Sequence, residues 1–111
     1  MSLLVIADTV TASHILLMYQ GAQRSRATRT RAEARQQIDD IATQLADGAD
    51  FAELARAHSD CPSSRAGGNL GPFRRGQMVG AFDEVAFKLP VGATSDVVET
   101  GFGYHIIHRT A

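Results

Sequence analysis

The stretch from His58 to Met78, HSDCPSSRAGGNLGPFRRGQM, constrains what this chain can fold into more than any other stretch does. It contains the single cysteine, two of the three prolines and four of the ten glycines. Helices and long strands do not tolerate this density of glycine and proline, so we predict a loop with a short strand at about residues 70–74. Long loops in small domains are usually functional or disordered. The apolar Leu70, Phe73 and Met78 favour an ordered loop and a candidate site.

The length and composition predict one ordinary globular domain. The chain has 111 residues, of which 44% are hydrophobic and 21% charged, with a net charge of −1. We assign residues 1–9 to a short N-terminal extension and residues 10–111 to the folded domain. No apolar run approaches the roughly 18 residues that a membrane helix needs, so no membrane contact is expected. The N-terminal MSLLVIA has no basic start and is not interpreted as a signal peptide.

The first half of the chain predicts a strand followed by helices. Residues 9–19 are apolar on both faces of an alternating pattern, which is typical of a central strand, and His14 is the polar exception. Thr30 and Glu33 have the spacing of a capping box, in which each side chain binds the backbone N–H of the other residue at a helix start. Gly48 is expected to end that helix.

The second half predicts two more helices and a closing hairpin. Asp50 begins the next helix, whose inner stripe is expected to include His58, and the apolar spacing within GAFDEVAFK predicts another that ends before Pro90. Residues 96–100 and 104–109 have the pattern of two strands joined by a glycine turn. This order of elements predicts an α+β domain with one antiparallel sheet.

Basic residues are concentrated between positions 24 and 35. Five of the eleven basic residues lie there, with one acidic residue among them: Arg24, Arg26, Arg29, Arg31 and Arg35. The cluster is interpreted either as a solvated helix surface or as a site for an anion such as phosphate. Because no aromatic residue is interleaved with the arginines, specific nucleic-acid binding is not expected.

Three other kinds of site fit the sequence poorly. Cys61 invites a covalent mechanism with a histidine-activated thiol, but no hydrolase motif surrounds it. The four histidines and one cysteine lack the short spacings of zinc ligands, so no metal is expected. The glycines of RAGGNLG are not followed by the Lys-Ser/Thr of a phosphate-binding loop. The lone cysteine cannot form an internal disulfide, which fits a reducing, cytoplasmic location.

Several separated blocks resemble the parvulin-type peptidyl-prolyl cis/trans isomerases, of the Pin-like kind without a WW domain. The blocks are ASHILL, HSDCPSS, GGNLGPFRRGQM, AFDEVAFKLPVG and GFGYHIIHR, and together they span roughly residues 10–110. The resemblance implies a four-stranded antiparallel sheet surrounded by about four helices. It also implies a cofactor-independent enzyme that rotates X–Pro peptide bonds in protein folding or conformational switching.

The resemblance also implies roles for individual residues. The polar catalytic group corresponds to His14, Cys61, Thr100 and His105. The pocket for the substrate proline corresponds to Leu70, Phe73, Gln77, Met78 and Phe82. In Pin-type members a lysine and two adjacent arginines bind a phosphate before the proline. Here Met18 stands at the lysine position and the arginines alternate, so Arg24 and Arg26 are the candidates for a phosphate or an acidic residue.

The expected partners are proline-containing peptides or proteins, with or without phosphorylation, bound by a monomer. The absence of tryptophan excludes a WW-like segment within this sequence. The chain is therefore interpreted as a minimal catalytic domain, either standing alone or cut from a larger protein. The alternative hypothesis is a proline-directed binding or chaperone module with little turnover, whose pocket residues would be the same.

Overall fold

A computed structural model describes residues 9–111. The elements are β1 Thr9–Leu17, α1 Arg31–Ala46, α2 Phe51–His58, a short 3-10 helix Pro62–Ala66, β2 Asn69–Arg74, α3 Gly80–Lys88, β3 Val98–Thr100 and β4 Gly103–Arg109. The N-terminal extension assigned from the sequence lies outside the described residues, except for Thr9, which begins β1. No helix within residues 9–111 is long and apolar enough to cross a membrane.

The four strands form one antiparallel sheet in the order β2-β1-β4-β3. The two longest strands, β1 and β4, pair in its centre, with Leu16 opposite His105 and His14 opposite Ile107. Residues directly opposite each other share a face of a sheet, so both histidines lie on the same face. The predicted α+β architecture is confirmed, and residues 9–111 contain three α-helices and one 3-10 helix.

Each face of the sheet is covered by a separate apolar cluster, as the two-sided pattern of β1 predicts. One cluster packs α1 and α2 on the sheet: Ile15, Leu17, Ala34, Ile38, Ile41, Ala55, Tyr104 and Ile106. The other packs α3 on the opposite face: Val10, Ala12, Phe73, Phe82, Ala86 and Ile107. Each large side chain contributes about 1.5–3 kcal/mol by leaving water. His14 and His105 are the buried polar residues of the second face.

The capping box predicted at the start of α1 is confirmed. The Thr30 hydroxyl accepts the N–H of Glu33 at 3.1 Å, and the Glu33 carboxylate accepts the N–H of Thr30 at 2.7 Å. Asp50 caps α2 through the N–H of Glu53 at 3.0 Å. After α1 the chain turns at Gly48, whose φ of +98° is left-handed and suits glycine.

Two local predictions were wrong. His58 is exposed at the end of α2 and does not belong to the inner stripe of that helix. The strand predicted over residues 96–100 begins only at Val98. The reason is that the N–H of Ile107 bonds to the Ser95 side-chain oxygen at 2.9 Å while the Ser95 N–H bonds to the Ile107 carbonyl at 2.7 Å. Because the Ser95 side chain takes the place of a backbone acceptor, regular pairing with β4 begins only at Val98.

Candidate active site

A cavity of about 450 Å³ opens on the sheet face that carries both histidines. β1 and β4 form its floor, and α3, β2 and the start of the 3-10 helix form its walls. Its lining residues are His14, Leu16, Met18, Arg24, Cys61, Pro62, Leu70, Gln77, Met78, Val79, Phe82, Phe102 and His105. Other surface grooves are as large, but their linings are more polar and lack the buried histidines.

The two histidines and Thr100 form one hydrogen-bonded chain under the cavity. The Phe102 N–H donates to the Thr100 hydroxyl oxygen at 3.1 Å, which leaves the hydroxyl proton for Nε2 of His105, 2.7 Å away. Since a neutral imidazole carries one proton, we assign that of His105 to Nδ1, which donates to Nδ1 of His14 at 3.2 Å. His14 then holds its proton on Nε2, a buried atom without a hydrogen-bond partner among residues 9–111.

Both histidines are neutral at pH 7. Burial lowers the pKa of His14 to about 4. Burial, and then the charge that His14 would carry, lower the pKa of His105 to about 3. An ordinary histidine titrates near pKa 6.5, so neither ring takes up a proton in the physiological range. The floor of the cavity is therefore polar but uncharged.

Cys61 lies beside the cavity at the end of a segment that is tied to β1. Its thiol is free and half-buried. A thiol nucleophile needs a hydrogen-bonded base, and within the described residues His14 and His105 instead bond to each other and to Thr100. This geometry gives no support to a covalent mechanism. The same part of the chain contains no group of three or more metal-ligating side chains.

An apolar slot stands directly above the histidines. Leu70 on β2, Met78 before α3 and Phe82 within α3 line it, and all three belong to or pack against the second core cluster. The Phe82 ring meets the rings of His14 and His105 edge-on, with centroids 5.5 and 5.3 Å away. The slot and the polar floor are therefore in direct contact.

Phe73, which was predicted to line the groove, is not among the residues that line the cavity. It is 4% exposed and lies behind Phe82, with ring centroids 6.0 Å apart. It therefore supports the slot from the core. Gln77 does line the cavity, and its side-chain oxygen accepts the N–H of Arg74 at 2.6 Å, which fixes the turn after β2.

Gly68 brings the loop before β2 into close contact with the histidine strand. Its carbonyl accepts the N–H of His14 at 2.9 Å, and its φ is +87°. A Cβ atom at this position would lie 2.4 Å from the His14 carbonyl oxygen. Only glycine lets the two backbones approach this closely.

Arg24 lies at the mouth of the cavity, and Arg26 does not line it. Both arginines line an adjoining groove of about 690 Å³, which shares Met18 and Pro62 with the cavity. We call residues 20–29 the arginine loop. Arg24 is the non-glycine residue of the described chain with a positive φ, +58°, which indicates a constrained loop conformation.

Residues 4–111 match the family of PPIC-type PPIase domains. The chain belongs to this family of peptidyl-prolyl cis/trans isomerases. It is 43% identical to the peptidyl-prolyl cis-trans isomerase Pin1 of Digitalis lanata over 94% of this chain and 98% of that protein. It is 44% identical to the Pin1 of Arabidopsis thaliana over 94% of this chain and 97% of that protein.

Solved structures agree with this assignment. The isomerase superimposes on the peptidyl-prolyl isomerase ESS1 from Candida albicans with a TM-score of 0.88 at 36% identity, over 94% of this chain and 63% of that one. The solution structure of TbPIN1 gives a TM-score of 0.87 at 31% identity, over 96% of this chain and all of that one. The parvulin fold and the isomerase activity implied by the sequence blocks are thereby confirmed.

The cavity of this isomerase also contains residues that the sequence did not single out. Leu16, Pro62, Val79 and Phe102 line it, and Met18 was noted only for the lysine it replaces. Leu16 alternates with His14 on β1, so period-two spacing could have identified it. Val79 is the N-cap of α3 and Phe102 lies in the turn between β3 and β4, so periodicity carries no information about which way their side chains point.

Proposed function

We propose that this isomerase rotates X–Pro bonds without covalent chemistry, by holding the proline ring in the Leu70–Met78–Phe82 slot. The carbonyl before the ring then lies over the polar floor of His14 and His105, with Cys61 at its side. The observation that carries the proposal is the contact of the slot with a neutral hydrogen-bonded floor inside one cavity.

The physical reason lies in the amide itself. A planar amide is stabilised by resonance, which separates charge, and twisting it costs about 18–20 kcal/mol. A low-dielectric cavity without a charge in its floor favours the less polar twisted amide over the planar forms. A catalyst needs only this differential binding, and a thousandfold acceleration takes roughly 4 kcal/mol.

The slot is tested with Met78→Ala, because Met78 is half-buried and can be truncated without opening the core. We expect kcat/KM on an Ala-Pro peptide to fall about tenfold, measured by exchange NMR. The matched control is Leu89→Ala, which truncates a half-buried residue packed on the same cluster but outside the cavity. Equal activity of the two variants, both folded, would contradict the slot.

The residue before proline is proposed to meet Arg24, with Arg26 further along the adjoining groove. Guanidinium groups pair well with carboxylate and phosphate oxygens, so acidic or phosphorylated residues are favoured. Met18 contributes apolar contact where a second cation would strengthen anion binding. The expected preference over a neutral residue is therefore modest, and general X–Pro substrates are also used.

A peptide panel with Ala, Glu or phosphoserine before proline tests this preference. Arg24→Gln should lower kcat/KM for the two anionic peptides several-fold and leave the Ala-Pro peptide unchanged, and added salt should weaken the preference of the wild type. Arg35→Gln is the control, since Arg35 is paired with Asp39 on α1 and lies outside the cavity. An equal loss on all three peptides in Arg24→Gln would argue against charge recognition.

The proposed setting is a cytoplasmic monomer that acts on proline-containing proteins. The free thiol of Cys61 fits a reducing compartment. Among the described residues, the large apolar side chains with more than a third of their surface exposed are Val79 and Val91, which do not form an extensive apolar patch. Sedimentation velocity at micromolar concentration would test the monomeric state.

A further inference from the structure

Arg29 and Asp60 form an ion pair where the arginine loop meets the segment Ser59–Cys61, here called the thiol segment. The guanidinium Nη1 of Arg29 donates to the Asp60 carboxylate and to the carbonyl of Met18, at 2.8 Å. The two side chains are 26% and 28% exposed, against 55% and 47% for the Arg35–Asp39 pair on α1. The Arg29–Asp60 pair is thus better shielded from water, and salt screens it less.

Asp60 also ties the thiol segment to the end of β1. Its carboxylate accepts the N–H of Met18 at 2.9 Å, and its own N–H donates to the carbonyl of Leu16 at 2.8 Å. The N–H of Leu16 donates in turn to the Ser59 hydroxyl at 3.0 Å. One backbone bond and two side-chain bonds therefore tie the thiol segment to the end of β1, and this fixes the position of the thiol at the cavity.

The arginine loop is held at its C-terminal end by Arg29 and at its middle by Gln23. Besides the ion pair, the Arg29 carbonyl accepts the N–H of Gln20 at 2.9 Å. At the middle of the loop, the Gln23 N–H donates to the Gly101 carbonyl at 2.9 Å. Arg24 follows directly and adopts its left-handed conformation there. The position of Arg24 at the cavity mouth therefore depends on the Gln23 contact beside it and on Arg29, which closes the two ends of the loop.

We propose that Arg29 and Asp60 are positioning residues, a latch that sets the separation of Arg24 and Cys61 across the cavity. The proposal rests on the proposed function, in which Arg24 meets the residue before proline and Cys61 lies beside the reacting amide. Because Asp60 neutralises Arg29, Arg29 acts through the geometry of the loop and not as a ligand for an anionic substrate.

The test compares Arg29→Gln with Asp60→Asn on Ala-Pro and Glu-Pro peptides by exchange NMR. The latch predicts that both variants lower kcat/KM for Ala-Pro about tenfold, since small displacements of reacting groups are costly. It also predicts that both move the Glu-Pro to Ala-Pro ratio toward one. If Arg29 were itself an anion ligand, Asp60→Asn would free its charge and raise that ratio. Such a rise would overturn the latch.

Two control variants separate positioning from general stability. Arg35→Gln removes an equally charged but remote residue and should leave both the activity and the ratio unchanged. Arg29→Lys keeps a cation beside Asp60 and should recover most of the lost activity. If Arg29→Gln and Asp60→Asn changed only the melting temperature, with the wild-type rate and ratio below it, the latch would be refuted.

The same measurements test charge recognition by Arg24 independently of the latch. Equal wild-type rates on Ala-Pro and Glu-Pro would contradict charge recognition by Arg24, yet the Ala-Pro measurements would still decide the latch. Conversely, a wild-type preference for Glu-Pro with unchanged latch variants would refute the latch alone.

Discussion

At the scale of single residues, the neutral histidine pair links folding to pH. His14 and His105 bind protons near pH 6.5 in the unfolded chain, but only near pH 4 and 3 once buried. The unfolded state therefore holds more protons between about pH 6.5 and 3. It follows that the free energy of unfolding decreases as the pH falls through that window.

We expect His14 alone to account for about 3 kcal/mol of this loss, from its shift of pKa between the two states. Urea unfolding at pH 7, 6, 5 and 4 measures it, with His14→Gln expected to flatten the pH dependence. His58→Gln serves as the control, because His58 is exposed. The same slope in wild type and His14→Gln would contradict a buried neutral pair.

Single-residue features could be predicted where they depend on residues that are close in sequence. Thr30 and Glu33 identified the start of α1, because a capping box involves residues only three apart in sequence. Val79 and Phe102 were not identified because they lie outside regular helix and strand, where spacing does not indicate side-chain direction. The role of Phe73 in the groove stays a prediction, because the core and the cavity are continuous across Phe82.

At the scale of elements, the approach of Gly68 to β1 makes the strand and the loop before β2 interdependent. Gly68→Ala would combine a left-handed backbone with a Cβ atom 2.4 Å from the His14 carbonyl oxygen. We expect a loss of about 3 kcal/mol in unfolding free energy and, in the folded fraction, about tenfold lower kcat/KM through displacement of His14.

Gly80→Ala is the matched control for this change. Gly80 begins α3, lies outside the left-handed region, and an added Cβ atom would meet no other atom within 4 Å. Alanine favours helix, so stability should stay the same or rise slightly. Equal effects of the Gly68 and Gly80 substitutions in urea unfolding would show that the close approach has no energetic consequence.

The elements themselves were mostly predictable, apart from the 3-10 helix Pro62–Ala66 and the late start of β3, which has a physical cause. Periodicity and turn residues gave β1, α1, α2, α3 and β4 within a few residues. The start of β3 could not be read from sequence, because Ser95 replaces a backbone partner of Ile107 with its side chain. Such a choice depends on the neighbouring strand and not on the residues of β3.

At the scale of the whole molecule, the domain assignment to residues 10–111 remains a proposal with a direct test. β1 begins at Thr9, which pairs with Arg74 on β2. A protein lacking residues 1–8 should keep the wild-type urea midpoint and denaturant slope, because that slope follows the surface exposed on unfolding. It should also keep its isomerase activity. A lower midpoint would move the domain boundary toward residue 4, where the family match begins.

Contacts between residues that are distant in sequence were the hardest feature to predict. His14 and His105 are 91 positions apart in sequence, yet their ring nitrogens are 3.2 Å apart. No periodicity connects them, and only the resemblance of several ordered blocks paired them beforehand. Propensity and spacing alone gave the fold class, and they left the composition of the cavity open.

The proton assigned to Nδ1 of His105 also gives the molecule an internal spectroscopic probe. It lies under the slot, in a hydrogen bond between two buried rings, and we expect it to exchange slowly with water for that reason. In wild-type protein it should give a resolved low-field imidazole signal, distinct from those of His58 and His108. A ligand in the cavity would shift that signal, so the binding of unlabelled substrates could be followed through this single proton.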